Sequence, residues 1–277
     1  MLITKHIPKS YLKNYIDHIA FHKSTGDVEN SVISVIPDGM TELVLDFENI
    51  YKREVLINQT VNITKGSQII GIKSQPHLLS FSKISPSISV RFKPGCLSFF
   101  TSVSMKEIKD KSLKCSDVFG TQIQNLANKV NKSVNSPKMI KHVESFLENA
   151  FINDIAVYET RNYICEIYKN PKETKLSKAI ISNRNYKKIE RRFIKNVGIT
   201  PKIFSRIVRL NYALSLLKNG KKKSLTHIAF DAGYYDQAHF IKDFYCFTKS
   251  KPSKFLSDKT FIENFNFDVI CKQFKIK

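Results

Sequence analysis

Between residues 31 and 93, apolar side chains come in short runs rich in Val, Ile and Phe. The runs are Ser31 to Ile36, Thr41 to Phe47, Glu54 to Thr64, Gln68 to Ile72, Leu78 to Ile84 and Ser87 to Lys93. Turn-forming residues lie between and after them, notably Pro37-Asp38-Gly39, Lys65-Gly66, Gln75-Pro76 and Pro94-Gly95. Leu79, Phe81 and Ile84 nearly alternate with Ser80, Ser82 and Lys83, as the two faces of a half-buried strand require. Short strands at this spacing predict a small sandwich or barrel. From about residue 97 the period lengthens. Ile140, Val143, Phe146, Leu147 and Ala150 fall on one face of a helix that begins after Pro137, and a second helix is predicted from Asp154 to about Tyr168. Lys169-Asn170-Pro171-Lys172-Glu173 then breaks the pattern, so domains are expected at 1–170 and 171–277.

Beyond that break the chain repeats itself at an offset of 51 residues. Asn185, Ile189, Phe193, Gly198, Pro201 and Phe204 correspond to Asp236, Phe240, Phe244, Lys249, Pro252 and Phe255, and all but the Gly198–Lys249 pair match in type. Two copies of one supersecondary unit are implied, too few for a solenoid. In the second copy Leu225, Ile228, Ala229 and Ala232 form one face of a short helix, Gly233 suits a left-handed turn, and Asp236 can cap the helix that follows. In the first copy Leu176, Ala179 and Ile180 play the helical part, Asn183 the turn and Asn185 the cap. Helix, tight turn, helix is the helix-turn-helix arrangement.

Charge gives this repeat a partner. The chain carries +21 overall, but residues 171–277 hold 24 basic against 8 acidic side chains, whereas residues 1–170 hold 21 against 16. A cationic excess confined to one third of a chain suits a polyanion, nucleic acid before a merely solvated lysine-rich face. No apolar run approaches the ~20 residues that cross a bilayer, and the N-terminus lacks a signal-peptide core. The five cysteines are odd in number and widely spaced, which fits free thiols in a reducing compartment. A soluble, cytoplasmic protein without membrane partners is therefore expected.

Residues 174–257 resemble the DNA-binding region of the AraC/XylS family of bacterial transcription regulators. The first module carries the resemblance in Lys187-Lys188-Ile189-Glu190-Arg191-Arg192-Phe193 and Val197-Gly198-Ile199-Thr200-Pro201-Lys202. The second carries it in Ile228 through Phe240, Phe244 and Pro252, and Arg206, Arg209, Leu210, Ala213 and Leu217 fit the family's joining helix. Asn183 and Lys249 stand where the family usually has Gly. More weakly, Ile36-Pro37-Asp38-Gly39-Met40-Thr41-Glu42-Leu43-Val44 and Val90-Arg91-Phe92-Lys93-Pro94-Gly95 resemble a sensor domain of one branch of the family. The resemblance implies an α+β protein. A β-rich, cupin-like N-terminal domain with trailing helices would precede an all-α domain, whose modules at about 174–200 and 224–257 are joined by a helix at about 202–218.

A recognition helix reads base edges in the major groove chiefly with its N-terminal half. Gln237, Ala238 and Lys242 match the family's base-reading sites by position; Gln suits adenine and Lys suits guanine. In the first module the corresponding face nominates Lys187, Glu190 and Arg191. Lys188, Lys195, Lys202, Arg206, His239 and Lys254 are phosphate candidates, which position a protein without carrying sequence information. Lys221-Lys222-Lys223 reads as a solvated loop, and Tyr234-Tyr235 as a pair packed between helices.

Two other classes compete with this one. A metal-dependent cupin enzyme would need clustered ligands, yet there is no H-x-H pair; His18 and His22 suit one helix face but lack a third ligand. No catalytic elbow, P-loop or dinucleotide fingerprint occurs, so neither metal, cofactor nor enzymatic activity is expected. A regulator whose N-terminal domain only dimerises or binds a protein partner stays open beside one gated by a small molecule. The implied partners are promoter DNA, RNA polymerase, an effector of unknown identity and a second copy of the chain. The apolar faces of the 137–168 helices either pair in a dimer or are covered within their own domain.

Overall fold

The computed structural model describes residues 2–23, 31–46, 50–56, 58–81, 86–133, 135–173, 185–219 and 224–257. Its strands are β1 (Leu2–His6), β2 (Ile16–Lys23), β3 (Ser31–Val35), β4 (Thr41–Leu45), β5 (Ile50–Val55), β6 (Thr60–Lys65), β7 (Gln68–Ile70), β8 (His77–Phe81), β9 (Ser87–Phe92) and β10 (Ser112–Lys114). All pairings are antiparallel, in a six-stranded sheet ordered β1-β2-β9-β4-β7-β10 and a four-stranded sheet ordered β3-β8-β5-β6. This is the β-rich N-terminal domain expected, followed by helices.

Alternation divides the six-stranded sheet into an apolar and a polar face. Ile19, Phe21, Leu43, Leu45, Ile69, Ile88, Val90 and Phe92 join one buried cluster with Ile123, Leu126 and Val130 of α2 (Thr121–Asn131) and with Val143 and Leu147 of α3 (Ser136–Ala150). A short α1 (Cys115–Phe119) leads into these helices. The registers Arg91↔Glu42, Glu42↔Ile70 and Ser89↔Val44 put Glu42, Val44, Gln68, Ile70, Ser89 and Arg91 on the opposite face, toward the four-stranded sheet. The sheets meet where Thr64 Oγ1 and Asn62 Oδ1 each lie 2.7 Å from Ser112 Oγ.

Three expectations need correction. The run Glu54 to Thr64 is not one strand but the hairpin β5–β6. Its turn hides in the sequence because the left-handed position is taken by Gln59 (φ 54°) rather than Gly, with Asn58 Oδ1 accepting from the Thr60 amide at 3.2 Å. Strand structure also extends beyond 31–93, to β1, β2 and β10. His18 and His22 consequently lie on a strand, where His22 Nε2 meets Ser89 Oγ at 2.9 Å. Among the described residues no group of three or more metal-ligating side chains occurs.

α4 (Ile155–Lys169), capped by Asp154, belongs to both halves of the molecule. Val157 packs into the cluster of the β domain, while Ile164 and Ile167 join a second cluster with Phe193, Phe204, Leu210 and Phe240 from the C-terminal third. Ile36 and Ile72 of the β domain enter that second cluster too. The buried sides of α3 and α4 are thus covered within the chain. Among the described residues, no helix is long and apolar enough to cross a membrane.

Candidate nucleic-acid interface

The duplication read from sequence is structural. α5 (Tyr186–Val197) and α8 (Gln237–Thr248) begin and end 51 residues apart. Ile189 and Phe193, like Phe240 and Phe244, point into the core, and Phe204 and Phe255 follow at equivalent buried positions. Pro201 and Pro252 open the next helices, α6 (Pro201–Asn219) and α9 (Pro252–Ser257). The unmatched pair shares a conformation: Gly198 (φ 96°) and Lys249 (φ 54°) are both left-handed C-caps. An L-residue there is strained by about 1–2 kcal/mol, which glycine escapes. Lys249→Gly is therefore expected to stabilise the protein by about 0.5–1 kcal/mol, read as a higher midpoint in urea unfolding.

In the second module α7 (Leu225–Asp231) is capped by Ser224, whose Oγ accepts from the His227 amide at 3.3 Å. Gly233 turns the chain at φ 80°, and a Cβ there would sit 2.1 Å from the Lys172 carbonyl oxygen. Asp236 caps α8 as expected, accepting from the His239 amide at 2.7 Å. Ala229 and Ala232 are fully buried at the helix crossing. The corresponding first-module residues Leu176, Ala179, Ile180 and Asn183 lie outside the described residues, as do Lys221-Lys222-Lys223 and the tail 258–277. Tyr234 packs as expected, 3% exposed and 5.3 Å from the Phe240 ring, with the Arg209 guanidinium over its face. Tyr235 does not pack. It is 84% exposed, while its neighbour Tyr234 takes the place in the core.

The candidate reading residues divide by what they already touch. Lys187 and Arg191 are exposed on α5, as are Ala238 and Lys242 on α8. Glu190 is half-buried beside the Tyr186 phenol, whose pKa is raised by burial and then by that carboxylate. Gln237 is half-buried, and its Oε1 accepts from Thr226 Oγ1 at 2.6 Å. Of the phosphate candidates, Lys188, Lys195, Lys202 and Lys254 are exposed. His239 is exposed with its ring edge-on to Tyr234 at 5.4 Å. Arg206 is engaged instead: its Nη2 donates to Asp243 Oδ1 at 2.7 Å and its guanidinium lies 5.0 Å over Phe247. Nothing in the sequence pairs residues 206 and 243, which meet only when α6 and α8 cross.

Sequence reasoning also missed how α5 is fastened. Asn196 Nδ2 donates to Thr160 Oγ1 at 2.9 Å and to the Ala156 carbonyl at 3.3 Å, both on α4. The Lys195 carbonyl accepts from the Met105 amide at 2.8 Å, and the Asn196 carbonyl from Ser98 Oγ at 2.8 Å. Arg192 pairs with Glu159. A Cβ on Gly198 would lie 2.7 Å from the Met105 carbonyl oxygen, so glycine allows the backbones to approach this closely.

A family model described as a helix-turn-helix domain matches residues 179–258, and one described as a domain of unknown function (DUF6597) matches residues 4–114. No curated protein matches the chain. Among solved structures it is similar to ToxT from Vibrio cholerae, at 14% identity over 93% of this chain and 98% of that one, with a TM-score of 0.42. An unsaturated-fatty-acid-bound ToxT from the same organism gives 16% identity, 85% and 96% coverage and a TM-score of 0.39. The AraC-like transcriptional activator CuxR gives 10% identity, 88% and 80% coverage and a TM-score of 0.20. One described helix-turn-helix (α7 and α8) and the matching helix α5, both bearing exposed cations and both within the residues matched by that family model, define a DNA-binding transcription regulator. Its helix-turn-helix domain is of the AraC type.

Proposed function

We propose that residues 171–277 read a bipartite duplex site, one half through α5 and the other through α8, and that residues 1–170 gate this reading in response to a small molecule. Lys187, Glu190 and Arg191 would contact bases in one half-site, and Gln237, Ala238 and Lys242 in the other. Lys188, Lys195, Lys202, His239 and Lys254 would contact phosphates, and Arg206 would join them only by exchanging Asp243 for the backbone. α6 spans 19 residues, about 28 Å, so the modules can address successive major grooves on one side of the duplex.

The observation that carries gating is the fastening of α5 to α4 and to the Ser98–Met105 segment. Among the described residues α8 makes no hydrogen bond of this kind to the N-terminal domain, so a shift within that domain would move one reading helix relative to the other. Output then follows through promoter occupancy, contact with RNA polymerase or pairing with a second copy. Selection from a random-sequence duplex library at about 150 mM salt tests the reading head. Wild type is expected to enrich a two-part motif. Arg191→Ala and Lys242→Ala should each lose about 1–3 kcal/mol of discrimination in one part only. A motif confined to a single groove, or one that both variants leave unchanged, overturns the assignment.

A further inference from the structure

The polar interior of the β domain holds a cation, near the Glu42 carboxylate, with one edge left without hydrogen-bond partners. Burial alternates along β5, so Tyr51, Arg53 and Val55 face the six-stranded sheet while Lys52 faces outward. Arg53 is 3% exposed, and neither its Nε nor its Nη2 has a hydrogen-bond partner. Those two N–H groups share one edge of the guanidinium, the edge that clamps a carboxylate with two parallel bonds. Its neighbours are already committed. Asn62, directly across on β6, gives its Oδ1 to Ser112, and the Glu42 carboxylate is held by Arg91.

Opposite stands a second unsatisfied group. Gln68 on β7 is 1% exposed, and neither end of its amide has a partner. Ser112 pairs with Ile70, so the row Asn62–Arg53 meets the row Ser112–Ile70–Glu42, with Gln68 one row further along the same face. Buried polar groups are nearly always hydrogen-bonded, and a buried charge left without partners is costly. Two such groups facing one interior call for a bound molecule. Val44, Val55 and Ile70 supply apolar wall beside them.

We infer that this interior binds a small organic carboxylate that carries its own hydrogen-bond donor, such as a hydroxy acid. Its two oxygens meet Arg53 Nε and Nη2, and its donor meets Gln68 Oε1. The consequence for DNA rests on the gating reading above; the binding site itself does not.

Thermal melting of the full chain tests it with sodium lactate, glycolate, acetate and phosphate at constant ionic strength, beside lactamide, for wild type and Arg53→Met. Lactate or glycolate should raise the wild-type melting temperature more than acetate or phosphate does, lactamide should not, and the variant should respond to none. An equal response in both proteins, or no carboxylate response in wild type, overturns the site. A carboxylate that raises wild-type melting alone but leaves DNA affinity unchanged keeps the site and removes gating.

Discussion

Between about 50 and 200 mM monovalent salt, the affinity of the chain for its selected duplex is expected to fall about 10³–10⁵-fold. The size of that loss follows from the number of phosphates neutralised. Lys188, Lys195, Lys202, Lys251 and Lys254 are exposed on or beside the reading helices for phosphates, and the base-reading Lys187, Arg191 and Lys242, exposed as well, add charge that displaces counterions. Two further cations are discounted, since Arg192 is paired with Glu159 and Arg206 with Asp243. Contacts of about 6–10 phosphates are consistent with this set, each releasing condensed counterions with a slope near −0.9 in log K against log salt. Fluorescence anisotropy with a labelled duplex measures that slope, and Lys188→Ala should flatten it by about one. A wild-type slope shallower than about −3 would mean that most of the positive charge lies away from the DNA.

The reading head was legible because its geometry is local. An amphipathic period, a cap and a left-handed residue recur at one offset, and each is fixed by residues a few positions apart. Asp236, Gly233, Phe240 and Phe244 stand where the pattern put them. What escaped depends on long-range contact. Asn196 looks like any polar residue near a helix end until α4 brings Thr160 to its amide. Arg206 reads as a phosphate ligand until the crossing of α6 and α8 gives it Asp243. The polar interior was hidden for a different reason. Runs of Val and Ile mark the face against the helices, whereas Glu42, Gln68, Ser89 and Arg91 on the opposite face look like the solvent side of a sheet. Only the second sheet, with Arg53 and Thr64 facing them, turns that side into an interior.

Asp38→Ala is expected to destabilise the protein by about 3–5 kcal/mol, lowering its melting temperature by about 6–20 °C. Asp38 Oδ1 accepts from the Met40 amide at 3.0 Å and lies 3.4 Å from Lys73 Nζ, while Oδ2 takes Arg91, which also holds Glu42. Asp38, Lys73 and Arg91 are all buried. Removing the carboxylate strands Lys73 and halves the compensation of Arg91. Asp38→Asn keeps the shape and an acceptor for Met40 but not the charge, so it should fall between Ala and wild type. Burial alone would raise the Asp38 pKa, but the Lys73 and Arg91 charges and the Met40 amide outweigh it and hold it below the ordinary 3.8. The unfolded chain therefore takes up this proton first. The stabilisation is complete above about pH 4 and is lost as pH falls through the depressed folded value. Melts across that range should show a steep acid limb in wild type that Asp38→Asn flattens in part, since Glu42 is depressed too once Arg91 and Lys73 outweigh its burial. The loss should also reach the DNA. Ile36 packs in the core shared with α6, and a Cβ on Gly39 would lie 3.1 Å from the Tyr168 hydroxyl and 3.4 Å from the Phe204 ring. Loosening the loop that carries Asp38 thus loosens the seat of the joining helix. Asp38→Ala should weaken binding to the two-part site more than Lys73→Met, which leaves Asp38 bound to Arg91; equal losses from the two would mean that only general stability links this cluster to the reading head.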